Sequence, residues 1–581
     1  MQGGGDGTDS PAPKLGVAAG RVKSSPAQTG HAARSVRWAS RCWLLDNRHR
    51  SPIFRANRPS LPLRRVMPAV PTPRLLWSLS LASGVLLGWS YPPGPGSALA
   101  AVAWIPLLWV WSRTTSVRRM LLHAWAAWLA TYAVAFAWPL AHVRADTAWL
   151  SLNGLLLLPL VLGLPPALAV AVRRARGEAV GLAALAAFQL GAEALLSLGP
   201  LAFPWSLLGH TQAASPWVAP LAALAGVPGL TLWLLALNIA GYRALTAATR
   251  RGRWRSAAAM LAVAGAGLAT AASLRTALPP PRATVPVGFV QPAIPAAAWA
   301  RVRDTTRAAT LLAMSDSLAR TAPQRPALMV WPETALPVLD STAAARRLLR
   351  RLQAWVDSTR IPLLTGAITV APEAPHLYRN SALLLQPGRS VQQHDKIRLV
   401  PLAEYVPFSE GRPGLQRLAI PAGGVRGYAP GRRQAPLHLE RDAAPPLRLG
   451  VFICLESLFG NYARRYHEQE ADVLITLAQV GWWGPTAGHR QHLAFTRLRA
   501  IETGRAMLVV TVSGRSALIR PDGRSVVEVG WMERTARLVS VPVYDAAPPY
   551  ARYGGAVHPL VLIAALAALG LIRRRTPRPT T

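Results

Sequence analysis

Apolar runs separated by short polar loops fill most of residues 75–275, and one more apolar run lies near the C-terminus. The eight runs are 75–91, 97–111, 120–140, 149–172, 178–198, 216–241, 256–274 and 557–572. Most approach the roughly 20 residues that a helix needs to cross about 30 Å of hydrocarbon, and the second run is the shortest. The pattern predicts a polytopic α-helical membrane domain with about eight transmembrane helices.

Arginine residues alternate between the loops that join these runs. Three loops and the C-terminal tail are basic, with Arg113, Arg118 and Arg119; Arg173, Arg174 and Arg176; Arg243, Arg250, Arg251, Arg253 and Arg255; and Arg573, Arg574 and Arg575. Loops 92–96 and 199–215 have no Lys or Arg, and 141–148 has only Arg144. Because basic loops stay cytoplasmic, seven crossings would place residues 276–550 on the outer face and the eighth would return the tail.

Residues 276–550 have a different texture, in which short apolar runs alternate with amphipathic stretches. Buried strands are predicted at Val285–Val290, Ala327–Trp331, Leu449–Cys454, Val473–Leu477 and Met507–Val512, and helices at 298–320, 341–358 and 489–503. This alternation predicts a layered α/β domain.

Four parts of the chain follow from these patterns. Residues 1–66, rich in Gly, Ser, Pro and Arg, are interpreted as a disordered basic leader or as a gene-model extension preceding a start at Met67. The other parts are a membrane domain with seven transmembrane helices (67–275), the layered α/β domain on the outer face (276–550), and a last transmembrane helix with a basic cytoplasmic tail (551–581).

Composition narrows the class of protein. Apolar residues make up 51% of the 581 residues and charged residues only 15%, which argues against a wholly soluble or a disordered chain. The net charge of +38 suits nucleic acid, an anionic membrane or an Arg-rich genome. No nucleic-acid-binding motif accompanies it, so membrane lipids are the expected partners. Two cysteines, Cys42 and Cys454, exclude a disulfide framework.

Three segments of the outer domain carry candidate chemistry. Glu333 follows a buried strand, Lys396 lies in His394-Asp395-Lys396, and Cys454 ends another buried strand. Each alone has an ordinary structural explanation. Together they supply a base, a cation for an oxyanion and a thiol, which acyl transfer through sulfur requires.

The motifs around these residues resemble a known family. They are Trp331–Pro337, Asp395-Lys396, Leu399–Pro401, Glu404–Pro407, Ile453-Cys454 and Glu456. They resemble the Glu-Lys-Cys signature of the nitrilase, or carbon-nitrogen hydrolase, superfamily, and more narrowly the apolipoprotein N-acyltransferase family. The narrower resemblance also rests on Phe203-Pro204-Trp205 with Gly209 and Gln212, on Gln491–Ala494 with Arg497–Arg505, and on the helical frame. It covers roughly residues 70–575.

The resemblance implies an αββα sandwich domain, a periplasmic site on a multi-pass protein of the bacterial inner membrane, and a transacylation without metal or cofactor. The thiol of Cys454 would take an acyl group from a glycerophospholipid and pass it to the amine of diacylglyceryl-cysteine on apolipoproteins. Glu333 would be the general base, Lys396 the oxyanion donor, and Glu404 and Glu456 supporting carboxylates. Phe203, Pro204, Trp205 and Trp482 would contact membrane or substrate, and a monomer is expected.

Some positions depart from the family pattern. Leu455 stands in place of the usual Tyr, Gln479-Val480 in place of an Asn-Asp pair, Val512-Ser513 in place of Asn-Thr, and Ala293 in place of Asn. Two alternatives therefore stay open: a membrane-anchored amidase or nitrilase-type hydrolase, and a catalytically silent scaffold. The insertion at about 408–436 is either a mobile lid or a plain surface loop.

Overall fold

The computed structural model describes residues 71–141, 148–300, 306–409, 412, 427–442 and 444–572. The predicted leader, 1–66, and most of the insertion at 408–436 lie outside the described residues. The fold below refers to the described part of the chain.

Seven helices form the N-terminal helical region. They are α1 Pro73–Ser90, α2 Ile105–Arg113, α3 Val117–Ala135, α4 Ala148–Arg176, α5 Glu178–Leu195, α6 Ala222–Thr246 and α7 Arg250–Thr276. Hydroxyl side chains cap several of them, because the first N–H groups of a helix have no partner within it. Ser116 accepts from Arg119 N at the start of α3, and Thr249 accepts from Gly252 N at the start of α7.

The described residues of the catalytic domain form thirteen strands and five further α-helices. The strands are β1 Ala283–Gln291, β2 Leu328–Val330, β3 Val338–Leu339, β4 Leu363–Ala371, β5 Ala374–Leu385, β6 Gln392–Asp395, β7 Leu437–Arg441, β8 Ala444–Ile453, β9 Val473–Ala478, β10 Met507–Thr511, β11 Ser516–Ile519, β12 Ser525–Val529 and β13 Thr535–Val543. The helices are α8 Ala296–Trp299, α9 Thr306–Thr321, α10 Ala343–Thr359, α11 Gly460–Glu468 and α12 Ala487–Thr503. All five predicted strands are present. Of the predicted helix 298–320, the structure describes 306–321 as α9.

The strands form two mixed sheets that pack face to face. The first has the order β13-β1-β2-β4-β5-β6, with β3 beside β4, and the second has the order β12-β11-β10-β9-β8-β7. Val287 and Phe289 of the first sheet share an apolar core with Val451, Ile475 and Leu508 of the second. Helices α9 and α10 cover the outer face of the first sheet, and α11 and α12 cover that of the second. The predicted αββα sandwich is confirmed.

Helices α13 Pro549–Tyr553 and α14 Val557–Gly570 follow the last strand. By length and composition, five stretches of the described chain could cross a membrane: Gly154–Arg176, Glu178–Leu195, Ala219–Thr246, Arg250–Thr276 and Pro549–Gly570. On α7 and α14, Leu261 and Leu566 are 74% and 66% exposed, as expected of faces that meet lipid. Several apolar helices are therefore confirmed, while the count of eight spans stays a prediction.

Helix α12 connects the catalytic domain to the helical region. The apolar core on its outer side continues directly into the core of the N-terminal helices. Near its C-terminal end, Glu502 Oε1 accepts the N–H of Val227 at 3.2 Å. Helix α6 is broken at Gly226, which has φ +66°, so this N–H opens a new helical segment and needs an outside acceptor.

Two Arg-poor loops of the helical region contact the catalytic domain. The carbonyl of Pro92 accepts a hydrogen bond from Gln491, and that of Pro200 accepts one from the Tyr405 hydroxyl. The basic ends of the helices lie together elsewhere. Arg173 donates to the carbonyls of Trp111 and Thr114, and Arg176 donates to that of Leu571 at 3.4 Å. Among the described loops, these two Arg-poor loops thus contact the catalytic domain, whereas the basic segments near Thr114 and Arg176 and the start of the C-terminal tail lie near one another.

Candidate active site

Cys454 lies at the carboxyl end of strand β8, where a ligand site of an open α/β sheet is expected. Its backbone adopts the left-handed region with φ +53°, a strained conformation for a residue with a side chain. The side chain is a free thiol and is buried. The carbonyl of Cys454 accepts hydrogen bonds from Ser457 Oγ at 2.9 Å and His492 Nε2 at 3.2 Å. The turn that bends the chain at the thiol is therefore held by side chains around it.

Glu333 follows strand β2, and both of its carboxylate oxygens are occupied. Oε1 accepts from Asn380 Nδ2 at 2.7 Å and lies 3.4 Å from Lys396 Nζ. Oε2 accepts the main-chain N–H of Gln479 at 2.6 Å. The carboxylate is therefore fixed by three donors from three segments of the chain: Asn380 within β5, Lys396 after β6 and Gln479 after β9.

The loop that carries Glu333 is held by close packing. Thr334 is left-handed with φ +50°, and its Oγ1 accepts from Trp299 Nε1 at 2.9 Å. Gly366 of β4 passes so close that a Cβ there would lie 2.4 Å from Thr334 N and 2.5 Å from Pro332 O. Only glycine fits at this position without moving the loop that carries Glu333.

Lys396 comes directly after strand β6 and is 1% exposed. Its Nζ lies 2.7 Å from Glu404 Oε1 and 3.4 Å from Glu333 Oε1, so the cation bridges two buried carboxylates. The second oxygen of Glu404 accepts the N–H of Val400 at 2.7 Å. Glu404 therefore pairs with Lys396 and with the main chain of its own loop, and its supporting role in the reaction stays a prediction.

Glu456 joins the main chains on either side of the site. Its Oε1 accepts from Ile397 N at 2.7 Å and from Arg398 N at 3.1 Å, just after the lysine. Its Oε2 accepts from Ile453 N at 2.9 Å, just before the cysteine, and lies 3.6 Å from His394 Nε2. Through these bonds, Glu456 sets the separation of Lys396 and Cys454.

Burial and charge shape the proton affinities of the site. Burial raises the pKa of the Cys454 thiol, and the nearby Glu333 charge raises it further. Burial also raises the pKa of Glu333, aided by Glu404 and opposed by Lys396. Burial alone would lower the pKa of Lys396, but Glu404 and Glu333 outweigh it and hold that pKa well above its usual value. The raised pKa values favour a protonated thiol and a charged ammonium near neutral pH, and a thiol in this state would need a base to become a nucleophile.

Asn380 was not among the residues predicted from the sequence. Besides its bond to Glu333, its Nδ2 lies 3.3 Å from Glu404 Oε1, and its carbonyl accepts the N–H of Lys396 at 2.8 Å. The sequence gives one indication of its importance: Asn380 lies within strand β5, and Asn is uncommon in strands.

The predicted membrane-loop residues lie at the junction of the two domains. Trp205 is buried, and Phe203 stacks on it with ring centroids 5.7 Å apart. Pro204, which lies between these two residues in the sequence, is also buried. Trp483 meets Trp205 at 5.2 Å, and its neighbour Trp482 is half-buried on the same turn. Substrate contact by these residues stays a prediction.

Two family models match the chain. The carbon-nitrogen hydrolase model matches residues 287–547, and the apolipoprotein N-acyltransferase N-terminal domain model matches residues 83–240. A solved amidase from Nesterenkonia sp. AN1 aligns at 17% identity with a TM-score of 0.35, covering 48% of this chain and 95% of its own. The two family models identify residues 287–547 as a carbon-nitrogen hydrolase domain and residues 83–240 as an apolipoprotein N-acyltransferase N-terminal domain.

Curated relatives extend this assignment to nearly the whole chain. The apolipoprotein N-acyltransferase of Chlorobaculum tepidum is 28% identical over 86% of this chain and 97% of its own length. Those of Azotobacter vinelandii and Ralstonia nicotianae are each 30% identical over 86% of this chain and 95% of their own. The chain belongs to the apolipoprotein N-acyltransferase family. It is an N-acyltransferase of the carbon-nitrogen hydrolase superfamily, which disfavours the amidase alternative.

Proposed function

We propose that this enzyme moves an acyl chain from a glycerophospholipid, through a thioester on Cys454, to the N-terminal amine of diacylglyceryl-cysteine on apolipoproteins. One observation carries the proposal. A thiol, a carboxylate and an ammonium converge in a buried cluster, on a domain whose outer helices share an apolar core with a set of apolar helices. This arrangement suits two substrates that are both lipids.

In the first half-reaction, Glu333 takes the proton of the Cys454 thiol as the sulfur attacks the ester carbonyl of the phospholipid. Lys396 stabilises the negative charge that develops on the carbonyl oxygen. The carbon–oxygen bond then breaks, and the proton held by Glu333 passes to the leaving glycerol oxygen. The products are an acyl-thioester and a lysophospholipid.

In the second half-reaction, the α-amine of the acceptor attacks the thioester. Glu333 takes a proton from the attacking nitrogen, the carbon–sulfur bond breaks, and the same proton returns to the sulfur. Lys396 again faces the oxyanion. The amide product leaves and the free thiol is restored, so the chemistry balances with the groups of the site alone.

We further infer a monomer in the bacterial inner membrane with the catalytic domain on the periplasmic face. The contacts of Pro92 and Pro200 support this sidedness, because both Arg-poor loops touch the catalytic domain. The bond from Arg176 to Leu571 groups a basic loop with the start of the basic tail.

Intact-protein mass spectrometry tests the proposal. Detergent-purified enzyme is incubated with phospholipid and then with a diacylglyceryl-cysteine peptide. We expect a hydroxylamine-labile acyl adduct that moves to the peptide amine, abolished in Cys454→Ala and retained in the matched control Cys42→Ala. An adduct that decays equally fast without peptide would indicate a hydrolase, and no adduct with any phospholipid would contradict the proposal.

A further inference from the structure

The side chain of Gln491, near the start of α12, uses all of its hydrogen-bonding groups on the helical region. Its Oε1 accepts from the indole N–H of Trp138 at 3.0 Å and of Trp205 at 2.9 Å. Its Nε2 donates to the carbonyls of Pro92 and Ala135, each at 2.9 Å. The side chain is completely buried. Two donors on one side and two acceptors on the other fix the orientation of the amide, because a flipped amide would face like groups on both sides.

The next residue, His492, reaches the nucleophile. Its Nε2 lies 3.2 Å from the carbonyl of Cys454 and 3.3 Å from Ser457 Oγ. Burial lowers the pKa of His492 to about 4, so the ring is neutral near pH 7. Since a carbonyl only accepts, Nε2 carries the ring proton and donates it to the turn that holds the thiol. Two adjacent residues at the start of α12 therefore connect the loops of the helical region, through Gln491, to the main chain of Cys454, through His492.

Three indoles surround this connection. Trp138, Trp205 and Trp483, here called the indole triangle, have ring centroids 5.2–5.7 Å apart. Trp483 also lies 5.9 Å from the ring of His492. The triangle draws one side chain from each of three loops, and Gln491 fixes two of them by their N–H groups.

We propose that Gln491 is a positioning residue. It holds the indole triangle at a fixed position relative to Cys454, so that the ester carbonyl of a bound lipid substrate lies next to the thiol. The inference rests on the proposed function and adds a determinant of lipid use to it. Gln491 touches no reacting group and acts through Trp138, Trp205 and His492. Apolar packing alone does not require an amide here, whereas a fully satisfied buried polar network fixes a single register between two packed units.

Replacing one indole by Phe gives the mildest test, because Phe removes the five-membered ring with its N–H and keeps an aromatic six-membered ring. The variants are Trp138→Phe, Trp205→Phe and Gln491→Glu, which keeps the shape of the side chain but not its two donors. Trp233→Phe is the matched control, since Trp233 Nε1 donates to Val263 O at 3.0 Å between α6 and α7. Two rates are measured for each: thioester formation against phospholipid concentration in mixed micelles, and alkylation of Cys454 by iodoacetamide.

We expect kcat/KM for thioester formation to fall about tenfold or more in the three variants, through KM, while alkylation stays within about twofold of wild type. Trp233→Phe should change neither rate. Full thioester formation in Trp138→Phe and Trp205→Phe would overturn the inference, even if Gln491→Glu failed to fold. A parallel loss of alkylation would also overturn it, since the residues would then support the site in general. A wild-type enzyme without any adduct would instead refute the proposed function itself, and this inference with it.

Discussion

Replacing Lys396 separates the need for a charge from the need for a compact cation. Lys and Arg together number 64, yet only Lys14, Lys23 and Lys396 are lysines. The described part of the chain therefore uses Arg at every cationic position except the one in the site. Lys396→Arg keeps the charge but replaces a point ammonium with a broad planar group, and Lys396→Met removes the charge while keeping much of the apolar stem.

The expected magnitudes follow from the contacts of Nζ. Loss of a preorganised oxyanion donor lowers the rate roughly 10²–10³-fold, or about 2.7–4 kcal/mol of transition-state stabilisation. We expect the rate of thioester formation in Lys396→Met to fall by a factor in that range. The substitution also leaves Glu333 and Glu404 buried without their cation, which costs roughly 3–5 kcal/mol of folding stability. Lys396→Arg keeps the ion pair with Glu404 but overfills a buried space. This overpacking lowers the folding stability by about 1–3 kcal/mol. We expect Lys396→Arg to be the more stable variant and to lose at least about 100-fold in rate.

The pH dependence of the stability loss has a defined sign. The charge of Lys396 lowers the pKa of Glu333 against burial and Glu404, so its removal raises that pKa further. A carboxyl whose folded pKa is raised stabilises the fold at low pH and loses that contribution as pH rises through the raised value. The destabilisation of Lys396→Met relative to wild type should therefore grow as pH rises from the ordinary carboxyl range.

Two assays test the role of Lys396 in the reaction and its effect on stability. Thioester formation on Cys454 is followed by intact mass, and thermal unfolding in detergent is recorded over a series of pH values. Near-wild-type thioester formation in Lys396→Met would refute the oxyanion role, and the same result in Lys396→Arg would refute the need for a point charge. A stability difference independent of pH would refute the coupling to Glu333.

Three further predictions concern the surroundings of the lysine. The rate of thioester formation should fall as pH drops through the raised pKa of Glu333, and this dependence should vanish in a strongly impaired Glu333→Gln, as a pH–rate profile would show. Asn380→Leu removes a donor shared by Glu333 and Glu404 and should slow thioester formation about 10- to 100-fold, whereas an unchanged single-turnover rate would contradict its role. Gly366→Ala should displace the Glu333 loop and lower both activity and the thermal unfolding temperature, and a wild-type profile would show that the loop moves freely.

The sequence predicts the main elements of the site because the chemistry depends on residue types that stand out locally. Cys454 and Glu333 end apolar strands, and strand ends of a layered α/β domain lie at one edge. Asn380 escaped prediction because its partners are 47 and 24 residues away and its own strand gives no hint of them. Gln491 was part of a recognised motif, but its four partners come from chain segments about 285 to 400 residues earlier. Such pairings depend on how two domains dock, which local periodicity does not encode.

The occupancy of Glu333 bears on how the enzyme chooses between water and amine. A carboxylate offers about four lone-pair positions, and Asn380, Lys396 and the N–H of Gln479 face three of them. About one position is left, and in the proposed mechanism it accepts a proton first from the thiol and later from the acceptor nucleophile. Because the same position serves any nucleophile that arrives, the base itself does not discriminate between an amine and water. The choice must lie in what reaches the thioester, and Cys454 as a whole residue is only 8% exposed. Selection for transfer over hydrolysis therefore depends on the walls around Cys454.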